Sequence, residues 1–147
     1  MMNMKLEVII LPVSDVDRAK DFYTKLGFRE DIDLKGEGTR VVQFTPPGSG
    51  ASIFIGKGIT TATPGSVQGL VLVVDDIEAA HKELVDKGIE VEKVFHDSNG
   101  LFFHATKKIT MPGVDPERKS YSSFTAFTDP DGNGWIVQEV KERLPGR

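Results

Sequence analysis

The stretch Val13-Ser14-Asp15-Val16-Asp17-Arg18-Ala19, closed by Leu26-Gly27-Phe28, returns 61 residues later as Val74-Asp75-Asp76-Ile77-Glu78-Ala79-Ala80, closed by Lys87-Gly88-Ile89. The residues just before it return at the same offset, Ile10 and Leu11 as Val71 and Leu72. An offset held this long marks a duplicated supersecondary unit, and a unit this small must pack or pair to bury its apolar face. Inside each copy the hydrophobic period changes. Leu6 to Val13 is a branched, apolar run of the buried-strand type. Val16, Ala19, Phe22, Tyr23 and Leu26 then recur at three- and four-residue steps, which is one face of a helix. Ser14 and Asp17 have the spacing of a capping box, which predicts Ser14 as the residue that starts this helix. Gly27 predicts its end, since glycine takes the left-handed conformation without a steric penalty.

Working outward, the first copy continues through three short strands, Phe28 to Leu34, Thr39 to Thr45 and Ser52 to Gly56, the last preceded by the turn Pro46-Pro47-Gly48-Ser49-Gly50. Thr60 to Ser66 is small and polar and reads as a connector. The second copy repeats the order: strand Leu70 to Val74, helix Ile77 to about Lys87 stopped by Gly88, then strands Glu90 to Phe95, Phe124 to Thr128 and Trp135 to Val140. The predicted fold is α+β: two βαβββ modules, residues 6–56 and 69–140, in one domain of 147 residues. One departure breaks the symmetry. Residues 96–123 form an insertion with no counterpart in the first copy, and a connection of that length in a compact domain is usually functional or disordered. It carries Phe102, Phe103, Tyr121, His96, His104 and Arg118, a composition unlike that of disordered segments.

Composition narrows the function. A formal charge of −4 with no basic cluster opposes binding to nucleic acid. The N-terminal apolar run is too short to span a membrane and is followed by no small-residue cleavage site. The absence of cysteine removes disulfides, thiolate metal sites and a cysteine nucleophile, and fits a cytoplasmic protein. No dinucleotide fingerprint, phosphate loop or nucleophile elbow is present. Asp129, Asp131 and Asn133 imitate the start of a calcium loop, but the twelfth position, which must be a bidentate Glu, is Val140; a strand-to-strand turn is expected instead.

Taken in order, these motifs and the stretch Phe127-Thr128-Asp129-Pro130-Asp131-Gly132-Asn133-Gly134 resemble the vicinal oxygen chelate superfamily, which contains glyoxalase I, bleomycin-resistance proteins and extradiol dioxygenases. The resemblance covers the chain apart from the insertion. It implies a curved mixed sheet built by the two modules around a cleft, often in a homodimer. It also implies, for the members that are enzymes, a divalent metal held by His, Gln or Glu on the first and last strands of each module. Carried over, those positions fall on Val8, Gly69, Ile136 and either Ser52 or, in a register shifted by two, Phe54. Such metals want imidazole or carboxylate, so these residues make a poor donor set. Glu7 and Glu139 do not rescue it, because strand side chains alternate and both point away from the cleft.

No cofactor is therefore expected. The leading expectation is a metal-free protein that binds a small aromatic or amphipathic molecule in the cleft. His96, His104, Phe54, Phe102, Trp135, Gln138, Arg118 and Tyr121 are the candidate contacts; His81, on the apolar side of the second helix, is read as structural. Still open are a metal-dependent lyase, isomerase or dioxygenase of the same superfamily, acid–base catalysis by His96 or His104, and an interaction module whose cleft is filled by its own side chains.

Overall fold

A computed structural model describes residues 1–97 and 110–145. Their elements run β1 (Val8–Ile10), α1 (Val16–Leu26), β2 (Arg29–Gly36), β3 (Thr39–Thr45), β4 (Ser52–Lys57), β5 (Leu70–Val74), α2 (Ile77–Asp86), β6 (Phe95–Asp97), β7 (Thr110–Pro112), β8 (Ser123–Thr128) and β9 (Gly134–Glu139). They form two compact units, Met1–Val67 with Asp129–Asn133, and Gln68–Thr128 with Gly134–Arg147.

The first unit has a four-stranded sheet in the order β1-β4-β3-β2, with β1 parallel to β4 and the rest antiparallel. One face packs under α1: the Tyr23 ring meets Phe44 at 5.9 Å and Phe28 at 5.7 Å, and Val42, Phe44, Ile53 and Ile55 are buried. Because strand side chains alternate, Ile10, Ile32, Leu34, Val41 and Phe54 occupy the other face. β1 is shorter than the apolar run predicts. Pro12 has no amide to continue the ladder, which ends with Leu11 N donating to Phe54 O at 2.9 Å.

The start of α1 corrects the sequence reading. The cap is Asp15, whose side chain accepts from Arg18 N at 3.0 Å. Ser14 is used elsewhere: its amide and hydroxyl both donate to Asp131 Oδ1, at 3.1 and 2.6 Å. Asp131 belongs to a turn folded around Asp129. Asp129 Oδ1 accepts from the amides of Asp131 and Asn133, and Oδ2 from the Tyr23 hydroxyl and Asn133 Nδ2, the last two at 2.8 Å. Asn133 Nδ2 also donates to Pro12 O and its Oδ1 accepts from Val67 N. This is the local-amide turn expected for these aspartates.

The second unit has five strands in the order β5-β9-β8-β6-β7, with β5 parallel to β9. The predicted strand Glu90 to Phe95 is displaced: β6 is Phe95–Asp97, while residues 90–94 touch β8 through Glu92 N to Ala126 O and Thr125 Oγ1 to Glu92 O. Charges at Glu90, Glu92 and Lys93 suit this wet, irregular run better than a ladder. β7 is a strand the sequence did not announce. It lies within the insertion and pairs with β6.

Candidate functional site

The helix-bearing face of the second sheet can be read from one bond: Ile77 N, in the first turn of α2, donates to Glu139 Oε1 at 3.1 Å. Glu139 therefore faces α2, and so by alternation do Val137 and Trp135. Ile136, Gln138, Ala126, Phe124 and Phe95 share the opposite face, with Phe95 stacked on Phe124 at 5.5 Å.

Around the end of β8 and the start of β9 lies a cavity of about 740 Å³, within the range typical of small-molecule pockets. Ala126, Ile136 and Phe95 from the face opposite α2, with Phe127 and Trp135 from the α2 face, give it apolar walls, and Gln68, Gly69, Glu90 and Glu92 also line it. The Gln68 side chain lies across Gly134, where an added Cβ would come within 2.1 Å of its Oε1. A side chain at 134 would displace the Gln68 amide from this wall. A second cavity, about 610 Å³, sits by the start of α1 in the first unit. Of its charged residues, Arg40 pairs with Asp17 at 2.7 Å and with Asp33 at 2.9 Å. These pairs hold the Asp33 carboxyl well below its ordinary value, the Arg40 hydrogen bond first and the Lys20 bond next.

The predicted contacts separate. Trp135 borders the 740 Å³ cavity, but it sits on the α2 side of β9, stacked on Phe127 with centroids 6.1 Å apart. Its one-residue offset from Ile136 already placed it on that side, so it is buried as core rather than presented with Ile136. Gln138 shares the face of Ile136, yet its Nε2 donates to Tyr121 O at 3.1 Å. His96 on β6 has Nδ1 2.8 Å from Gly113 O and does not line the cavity. Phe54 is half-buried on β4 of the first unit. Phe102 and His104 lie outside the described residues.

Arg118 and Tyr121 belong to a strap at the end of β9, both with backbones in the left-handed region (φ 50° and 72°). Arg118 Nη2 donates to Glu139 Oε1 at 2.5 Å and Nε to Oε2 at 3.2 Å; Nη1 reaches Glu78 at 2.9 Å. Tyr121 N donates to Glu139 O, and the Tyr121 hydroxyl accepts from Leu144 N. Burial by itself raises the Glu139 carboxyl. The Arg118 bond, the Ile77 amide and the charges of Arg118 and Lys141 outweigh it and hold the group below its ordinary value. The sequence missed Glu90, Glu92, Ala126 and Phe95 as pocket residues, because nothing in their period distinguishes them from strand.

Ile10 pairs with Phe54 and its repeat partner Val71 pairs with Ile136, so Phe54, not Ser52, is the counterpart of Ile136. Ser52 is buried and bonded to Thr45 and Gln43. Val8, Phe54 and Ile136 carry no donor atom. Gly69 sits at φ 79°, where a side chain such as His would be strained. Among the described residues no three His, Cys, Asp or Glu side chains gather as a metal site needs. The described residues at these positions do not fit a divalent metal.

The chain belongs to the glyoxalase/bleomycin resistance protein/dioxygenase superfamily, whose family model matches residues 5–137. No curated protein matches it in sequence. Among solved structures it is similar to TnmS3, an antibiotic binding protein from Streptomyces sp. CB03234, with 28% identity, TM-score 0.70, and coverage of 95% of this chain and 98% of that one. It is also similar to a glyoxalase/bleomycin resistance protein from the same Streptomyces strain (29% identity, TM-score 0.66, coverage 92% and 100%). A third similar structure is a superfamily member from Sphaerobacter thermophilus DSM 20745 (27%, 0.67, 95% and 99%). Among the described residues no helix is long and apolar enough to cross a membrane.

Proposed function

We propose that this chain is a metal-independent binding protein that holds a small aromatic or amphipathic molecule against the floor formed by Ala126, Ile136 and Phe95. The observation that carries this reading is the donor-free set Val8, Phe54, Gly69 and Ile136 in a superfamily whose enzymes put metal ligands there, taken together with a cavity in the second unit large enough for an organic ligand. The similarity to an antibiotic binding protein supports the same reading. A molecule without strong polar anchors binds by removing apolar surface from water, worth about 25 cal/mol per Å² before the costs of association.

The test is fluorescence titration with a tricyclic aromatic alcohol, anthracenemethanol, before and after exhaustive chelation. Binding is expected to survive chelation unchanged. Ile136→Arg is expected to weaken it at least about tenfold, because a charge now stands on the floor the ring must cover. Affinity that vanishes with chelation and returns with one particular divalent metal would sink the proposal, as would indifference to Ile136→Arg.

We also propose a cytoplasmic homodimer. Ile10, Ile32 and Leu34 in the first unit are 39%, 37% and 62% exposed, and Val71 and Val73 in the second are 44% and 43% exposed, all on the sheet faces turned away from the helices. Apolar rows of this kind mark surfaces that a partner covers. Sedimentation equilibrium is expected to give twice the chain mass, and Leu34→Glu with Val73→Glu to shift it towards one. A wild-type chain that sediments as a monomer at micromolar concentration would refute this.

A further inference from the structure

The face of the second sheet turned away from α2 carries two rows of side chains across its strands. One runs Val71, Ile136, Ala126, and the next runs Val73, Gln138, Phe124, Phe95. Gln138 interrupts rows that are otherwise apolar. It is only 7% exposed, a burial that glutamine seldom reaches. Its amide is also fixed in orientation. Nε2 donates to Tyr121 O at 3.1 Å, and a backbone carbonyl can only accept, so Nε2 and Oε1 cannot exchange places. Tyr121 is held in turn. Its N donates to Glu139 O at 2.8 Å, and its backbone sits at φ 72°, where residues with side chains are uncommon. Such a conformation persists where the surroundings enforce it. Both backbone groups of Tyr121 thus bond to β9, and one of them aims the Gln138 amide.

Oε1 is the atom of this amide left without a partner among the described residues. It is not sealed in, because the buried side-chain polar atom without a partner among these residues is Asp131 Oδ2, in the first unit. Oε1 therefore meets open space on the face it shares with Ile136. Same-face neighbours on a strand lie about 7 Å apart. Phe95, which lines the cavity, stacks on Phe124, and Phe124 is the cross-strand partner of Gln138. A ring system resting on Ala126, Ile136 and Phe95 brings its next substituent to this oxygen. Covering a carbonyl oxygen without giving it a hydrogen bond costs free energy, and an O–H or N–H directed at it removes that cost. Resting on the binding reading above, we infer that Gln138 determines specificity beside the cavity, and that the molecule it selects is a hydrogen-bond donor: a flat apolar body carrying a hydroxyl or an N–H directed at Oε1. A molecule that ends in an ether or ester oxygen there sets lone pair against lone pair and is disfavoured.

Two neutral probes with one ring system test this on the full chain by fluorescence titration: anthracenemethanol, which can donate, and its methyl ether, which can only accept. The alcohol is expected to bind about tenfold tighter than the ether, the effect of one hydrogen bond made or missed at a desolvated acceptor. That ratio is read on the wild-type chain and needs no variant. In Gln138→Leu, which has no polar atom at the site, the ratio is expected to fall to about one, because the alcohol weakens while the ether binds as before. If the two probes bind alike to the wild type, if the ether is preferred, or if the preference survives in Gln138→Leu, the donor inference is overturned and the binding reading stands. If Gln138→Leu weakens both probes equally, Gln138 serves only to anchor Tyr121, and the donor inference is likewise overturned. If neither probe binds, or if Ile136→Arg leaves both unaffected, the binding reading falls and the inference with it.

Discussion

Asp129→Ala is expected to cost about 3 kcal/mol of stability and to lower the melting temperature by roughly 10 °C. The carboxylate is 3% exposed and satisfies four donors: two backbone amides of its own turn, the buried hydroxyl of Tyr23 and the buried amide of Asn133. Truncation removes the acceptor and leaves the donors in place. Each buried donor without a partner costs about 1–3 kcal/mol, partly offset where water enters the space. Asn133 Nδ2 retains Pro12 O, so the loss falls mainly on Tyr23 and on the turn amides. Tyr23→Phe removes one donor rather than the common acceptor and is expected to cost only about 1 kcal/mol. The two changes are expected to be less than additive when combined, because they share one bond. Chemical denaturation of the two single variants and the double variant gives all three numbers. An Asp129→Ala chain within about 0.5 kcal/mol of wild type would show that the turn does not hold the first unit together.

That turn also marks where sequence reading stopped. The repeat, the two helices and the glycine stops are local signals, and Gly27 at φ 99° and Gly88 at φ 78° sit where those signals placed them. The cap of α1 is not local. Ser14 has the right spacing to Asp17, but Asp131 takes its hydroxyl from 117 positions away, and Asp15 caps instead. The same holds at the site. That Val8, Gly69 and Ile136 stand at the superfamily's ligand positions followed from the resemblance, counted from Asp15, Asp76 and Asn133. Phe54 rather than Ser52 followed only from strand pairing. Trp135 borders the cavity from the α2 side of β9, since adjacent residues of a strand face opposite ways. Glu90 and Glu92 were invisible because their segment was taken for strand, and only its irregular bonding to β8 lays them along the cavity.

Arg118→Met is expected to destabilise the second unit by about 2 kcal/mol at neutral pH, and by less as the solution is acidified. Glu139 is fully buried, and Arg118 supplies it with two hydrogen bonds. Breaking such a pair by removing one partner costs up to about 3–5 kcal/mol when the remaining charge is sealed in. Arg118 is itself 31% exposed and the Ile77 amide remains, so the lower figure applies. The pH dependence has a definite sign. In the wild type the folded-state value of Glu139 lies below its ordinary value of 4.5, so its contribution is present above that pH and is lost as pH falls through the lowered value. In the variant the strongest compensating bond is gone and burial pushes the group up, so protonation on acidification relieves the fold. The gap between the two proteins is therefore widest near neutrality and narrows as pH falls towards 4.5. Adding Glu139→Gln to Arg118→Met removes the stranded charge and is expected to recover most of the loss at pH 7 with little further pH dependence. A gap that stays constant across this range, or a double variant no more stable than Arg118→Met, would mean that the strap is held by the Tyr121 N bond to Glu139 O and by the Ser120 hydroxyl, which accepts from the amides of Lys141 and Glu142, and not by the ion pair.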